Sequence, residues 1–125
     1  MTENELSNIA IGEAIKVHKI LGPGLLESVY ETCLAYRLSE TGFFVERQKP
    51  IPLIFEEVKM DCGFRCDILV DRKMLIEIKA VEALNEIHLA QTLTHLRLRN
   101  LKLGLLMNFN VTRLRDGVKR VVNFL

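Results

Sequence analysis

The stretch DILVDRKMLIEIKA, residues 67–80, constrains the fold more than any other: two short apolar runs stand either side of a polar triplet, the pattern of a β-hairpin. If Asp71, Arg72 and Lys73 form the connection, antiparallel pairing sets Val70 opposite Met74, Asp67 opposite Glu77 and Arg65 opposite Lys79. Side chains alternate along a strand. Phe64, Cys66, Ile68, Val70, Met74, Ile76, Ile78 and Ala80 are therefore expected on the core face, and Arg65, Asp67, Leu69, Leu75, Glu77 and Lys79 on the other. Two carboxylates directly opposite, with Cβ atoms about 5 Å apart, repel unless a cation or a shared proton lies between them. The other reading is a solvated face on which Lys79 and Arg65 neutralise the acids, since exposed charge pairs are common and contribute little. The hairpin alone leaves both open.

Around it the chain reads as alternating helices and strands. An amphipathic helix over residues 5–21 must end at LGPG, because Gly22, Pro23 and Gly24 break it. A second helix, residues 25–40, has Leu26, Val29, Tyr30, Cys33, Leu34 and Leu38 at helical spacing and Gly42 as a stop. FFVERQK and IPLIFEEV read as strands, with Pro50 and Pro52 suited to an edge or a bend. Asn85 can cap a helix over residues 86–100 whose Leu89, Leu93 and Leu96 face the sheet. KLGLLMNF is apolar throughout, as in a strand buried on both sides, and GVKRVVNF is a last strand or a short helix. The order ααββββαβ, without repeat or linker, predicts an α/β fold with a mixed sheet flanked by helices, one domain over residues 1–125.

No run of 18 uncharged apolar residues marks a membrane span, and MTENELSNIA is acidic and polar where a secretory signal would be basic and then apolar. A cytoplasmic protein is expected. Cys33, Cys62 and Cys66, an odd number without a C-x-x-C pair, fit free buried thiols in a reducing compartment better than a structural zinc site. Net charge is +1, which argues against strong non-specific attraction to nucleic acid. It is unevenly spread. Residues 97–125 hold seven basic residues against Asp116 alone, a net +6 that leaves −5 on the remainder. Arg113, Arg115, Lys119 and Arg120 could form a phosphate-facing patch, or only the solvated side of a turn and a strand.

GLLESVY, with Gly24, Glu27 and Tyr30, is preceded by VHKILGP and followed by ERQKPIPL; further on stand Asp67 and then Glu77-Ile78-Lys79. On these residues the chain resembles, over nearly its whole length, the GxxExxY proteins of the PD-(D/E)XK nuclease-like superfamily. In place of the family's usual Gln and, four residues on, Tyr, AQTLTHL carries Gln91 and His95. The resemblance implies a restriction-endonuclease-like core and a divalent cation, Mg²⁺ or Mn²⁺, held by Asp67, Glu77, the Ile78 carbonyl and Glu27. It also implies that Lys79 serves the attacking water. Hard carboxylate oxygens suit such ions, which keep several waters and recruit a phosphate oxygen as ligand. Glu27 has a plainer reading as an acid favoured by the dipole of a helix start.

His88, Gln91 and His95 fall on one stripe, at i, i+3 and i+7, that could border the site. At 1.5 Å per residue His88 and His95 lie about 10.5 Å apart, too far to share a metal, so packing or hydrogen bonding is the expected role of each. His18 matches the family near the glycine turn, and Tyr30 is read as half core, half hydrogen-bond donor to a neighbouring acid. Two function classes follow: a metal-dependent nuclease acting on DNA or, second, RNA; or a non-catalytic nucleic-acid-binding or partner-binding protein that retains the fold. A chain of 125 residues has room for a core and little else, so specificity would come from a homodimer or a protein partner.

Overall fold

The computed structural model describes all 125 residues. Helix α1, Glu3–Leu21, opens on a reciprocal cap: the Glu5 N–H donates to the Thr2 hydroxyl and the Thr2 N–H to the Glu5 carboxylate. It ends at Gly22, whose φ of 71° suits glycine. Helix α2, Glu27–Glu40, starts two residues later than its apolar periodicity predicts, because Leu25 and Leu26 belong to the turn. Tyr30 stitches that turn. Its hydroxyl donates to the Gly22 carbonyl at 2.7 Å and accepts from the Leu25 N–H at 3.0 Å, while its ring stacks on Phe109. Tyr30 is thus core and donor as read, but its hydroxyl serves a backbone carbonyl of the glycine turn and not a neighbouring acid. His18 fastens the same end of α1 to the far end of the chain: its Nε2–H donates to the carbonyls of Phe109 (3.1 Å) and Val111 (2.9 Å), which fixes the tautomer.

The main sheet has the order β1-β4-β5-β6-β7, from Val45–Pro50, Arg65–Val70, Met74–Lys79, Leu103–Asn108 and Val118–Val122. Only β5 and β6 run parallel, joined by the crossover helix α3, Glu86–Arg99, so the sheet is mixed and flanked by helices, as expected. Asn85 caps α3 through the His88 N–H, and its own N–H donates back to His88 Nδ1. The expected strand IPLIFEEV is instead a separate two-stranded ribbon, β2 (Leu53–Phe55) and β3 (Val58–Met60), because Glu56 and Glu57 turn the chain at φ 51° and 68°. Five strands rather than four therefore precede α3. At the end both forms expected of GVKRVVNF occur in succession: a 3₁₀ turn, Leu114–Gly117, and then β7.

Each sheet face carries its own core. α1 and α2 cover Ile68, Val70, Met74, Ile76 and Ile78, and α3 packs its own Leu96 on Leu69, Leu75 and Val121. β6 is buried along its whole length, as its unbroken apolar sequence predicts. Gly104 lets α3 come close, since a Cβ there would stand 3.1–3.3 Å from Leu75, Leu96 and Thr92. Strict alternation along β4 fails at one point. Cys66 joins the cluster under α3, and Phe64 stands against His95 on that same side, not with Ile68. The slip occurs at Asp67, opposite Gln48, whose φ of 52° interrupts the extended backbone of β1.

Candidate active site

The ladder between β4 and β5 runs from Val70–Met74 to Ile68–Ile76 and stops there. The expected pairs Asp67–Glu77 and Arg65–Lys79 are not formed, and a hydrogen bond explains why: Asp67 Oδ2 accepts from the Ile78 N–H at 2.7 Å. A carboxylate has taken the place of a backbone acceptor. The strands part at this point, and the opening carries the acids. Glu77 is 6% exposed, on the α3 face, while the Ile78 side chain is buried in the opposite core, as its alternation predicts. Lys79 follows on the Glu77 face, half-buried.

Burial pushes the Glu77 carboxyl above its usual range, and the Asp67 charge pushes the same way; the hydrogen bond from His95 opposes both without cancelling them. His95 Nδ1 lies 3.2 Å from Glu77 Oε1, and when the carboxyl is ionised this nitrogen carries the shared proton. His95, where the resembling family has Tyr, is thus a hydrogen-bonded neighbour of the acid. Cys66 below is pushed up to about 11 by burial and by the Glu77 charge, which makes it an inert thiol. All three cysteines are free, but only Cys66 is buried; Cys33 is half-buried and Cys62 exposed, against the expectation of buried thiols.

Between β5 and α3 a cavity of about 20 Å³ is lined by Glu77, Lys79, His88, Gln91, Thr92 and His95. That is room for about one water-sized body. The helical stripe of His88, Gln91 and His95 does border the site, carried there by the close approach at Gly104. Glu27, the first residue of α2, reaches in from the other layer: its Oε2 accepts from the Ala80 N–H at 3.2 Å, just past Lys79.

Two residues that sequence reasoning passed over belong to this group. Glu31, buried one helical turn after Glu27, accepts from Gln48 Nε2 at 2.7 Å and from Arg47 Nε at 3.0 Å. The same Gln48 amide donates to Asp67 Oδ1 at 3.2 Å. Asp67 is therefore gripped at both oxygens. The i, i+4 spacing of Glu27 and Glu31 was the available signal for the second acid. For Gln48 there was none, since its role depends on a backbone angle.

Arg113, Arg115, Lys119 and Arg120 do not form one patch. Arg113 and Arg115 flank a pocket with Ile11, Ile15 and His18 of α1, and Arg120 donates to Asn4 on that side. Lys119 pairs with Leu106, which pairs with Glu77, so it alone shares the row and the sheet face of the acids. At about 4.8 Å per strand it stands roughly 10 Å from Glu77 along the sheet.

The donor set fits a hard divalent ion. Glu77 and Asp67 are acids on neighbouring strands, and the Glu77 carboxyl stays raised by burial although His95 and Lys79 act against it. No three His, Cys, Asp or Glu side chains converge closely enough to enclose a metal by themselves. Such ions keep waters and substrate oxygens in their remaining positions, so two carboxylates are an ordinary share. No helix is long and apolar enough to cross a membrane.

No curated protein and no solved structure matches the chain significantly. The family model of the PD-(D/E)XK nuclease superfamily matches residues 4–121, a span that takes in Glu27, Gln48, Asp67, Glu77, Lys79 and α3. The chain belongs to the PD-(D/E)XK nuclease superfamily.

Proposed function

We propose that this protein is a metal-dependent nuclease of the GxxExxY group that hydrolyses phosphodiester bonds in DNA. The reading is carried by one observation: Asp67, Glu77 and Lys79 are all present around the parted strands, with Asp67 anchored on the Ile78 N–H. Asp67, Glu77, the Ile78 carbonyl and Glu27 would hold Mg²⁺ or Mn²⁺. Such an ion, when bound, lowers the pKa of a coordinated water and offsets charge on the scissile phosphate. The chain's own groups do the rest. The Lys79 ammonium orients the water and meets the charge that develops on phosphorus oxygens. Gln91, with donor and acceptor on one amide, positions that water from α3. Gln48 and Glu31 hold Asp67 at the angle the site needs.

Lys79→Ala tests the reading, because it removes a group needed only while water attacks. In assays with Mg²⁺ and Mn²⁺ on linear, nicked, branched and single-stranded DNA and on RNA, cleavage by the variant is expected to fall about 10²-fold or more. Mn²⁺ affinity and DNA affinity change little. Undiminished cleavage by Lys79→Ala would point to a contaminant and defeat the proposal. A wild type inert on every substrate would favour the binding-only reading.

A further inference from the structure

Two surfaces away from the acids have no use within one copy of the chain. The first is the β2–β3 ribbon, which pairs with no other strand. Leu53 lies opposite Met60 and Phe55 opposite Val58, so these four share one face, and that face is apolar. Phe55 is 57% exposed and Val58 53%. A two-stranded ribbon is marginal in water unless something packs against it.

Its turn points to the kind of partner. A two-residue hairpin turn needs positive φ, which Asn-Gly supplies at little cost. Here Glu56 and Glu57 hold those angles, at 51° and 68°, although glutamate favours neither. Two carboxylates kept at a tip against their backbone preference indicate a use for the charge. Two acids against Lys59 repel phosphate, so nucleic acid is the wrong occupant and a basic protein surface the right one.

The second surface supplies it. A groove of about 800 Å³ runs between α1 and α2, walled by Val17, Ile20, Leu21, Cys33 and Tyr36 and edged by Lys16, Lys19 and Arg37. Ile20 is 81% exposed and Tyr36 62%. Glu13 occupies Lys16 and Arg37, and Lys19 has no acidic partner.

We propose that the ribbon of one copy seats in the α1–α2 groove of a second copy, Phe55 and Val58 against Ile20 and Tyr36, with the Glu56–Glu57 tip meeting Lys19. Knob and groove are different patches, so two copies satisfy each other reciprocally or extend head to tail. Neither surface includes Asp67, Glu77 or Lys79, and the proposal stands apart from the nuclease reading.

Sedimentation velocity on the full chain over a concentration series tests it. The wild type is expected to exceed monomer mass; a species that stops at two shows reciprocal seating, and one that grows shows head-to-tail seating. Phe55→Asp should sediment as a monomer. So should Glu56→Lys with Glu57→Lys, and Lys19→Glu, each alone, whereas mixing these two reversed proteins should restore association. Glu56→Asn with Glu57→Gly, which suits the turn, should raise Tm while weakening association about tenfold or more. Circular dichroism melts establish that each variant is folded. A wild type that stays monomeric to its solubility limit overturns the proposal, as do charge-reversed proteins that associate like the wild type or fail to complement each other.

Discussion

Glu77 shows how one buried acid couples stability to function. Its folded pKa is raised, so the folded chain holds the proton more tightly than the unfolded chain does. The stabilising contribution is complete below the ordinary carboxylate range and is lost as pH rises through the folded value. At neutral pH the ionised group therefore opposes folding. Glu77→Gln is expected to raise Tm at pH 7 in the absence of metal, with the difference closing near about pH 4. Mn²⁺ should raise the Tm of wild type but not of the variant; melts at both pH values, with and without metal, measure it. Gln48 presents a different balance. Its φ of 52° costs about 1–2 kcal/mol in a non-glycine residue, and its amide's two hydrogen bonds, to the Glu31 carboxylate and the exposed one to Asp67, together return about 1–3 kcal/mol. Gln48→Gly removes both and should move stability by no more than about 2 kcal/mol. Gln48→Val keeps the angle in a residue that tolerates it least and should cost about 2–4 kcal/mol. Cleavage should fall in both. Denaturant melts beside cleavage rates separate the two effects, and a Gln48→Gly protein with full activity would remove Gln48 from the site.

At the scale of elements, α3 brings the second layer of polar groups over the acids, and Gly104 sets its height. Gly104→Ala places a methyl 3.1–3.3 Å from Leu75, Leu96 and Thr92, overpacking of a kind that costs about 1–3 kcal/mol. Because His95 and Gln91 ride on the same helix, cleavage should fall by more than the loss of folded protein explains, as activity per folded molecule after denaturant titration will show. The existence of α1, α2, α3 and the Asp67 hairpin was legible from sequence because each is written in apolar period. So were the cap at Asn85 and the burial of β6. The ends of that hairpin were not. Alternation assumes that strands stay paired, and no pattern records that Asp67 would take the Ile78 N–H and let them part. The Glu56–Glu57 turn was hidden for a related reason, since nothing in glutamate announces positive φ.

For the molecule as a whole, position in the fold sorts charges that lie together in the sequence. Arg113 and Arg115 looked equivalent to Lys119 along the chain, yet only Lys119 lies on the face and row of Glu77. Lys119→Glu is accordingly expected to flatten the salt dependence of duplex DNA affinity by about one to two phosphate contacts, and Arg113→Glu with Arg115→Glu by less. Fluorescence anisotropy across a salt series distinguishes them. Asp67, Glu77, Lys79 and Glu27 could be nominated from the sequence because motif spacing survives folding; their supports, Gln48 and Glu31, come from different elements and meet only in three dimensions. The clasp of His18 on Phe109 and Val111 spans 91 and 93 residues. During synthesis α1 and α2 emerge first, and the C-terminal end of α1 stays unclasped until the ribosome has released residue 111. Until then the nascent chain has no closed core, so a translation product cut short before that point carries its carboxylates on an unfinished frame.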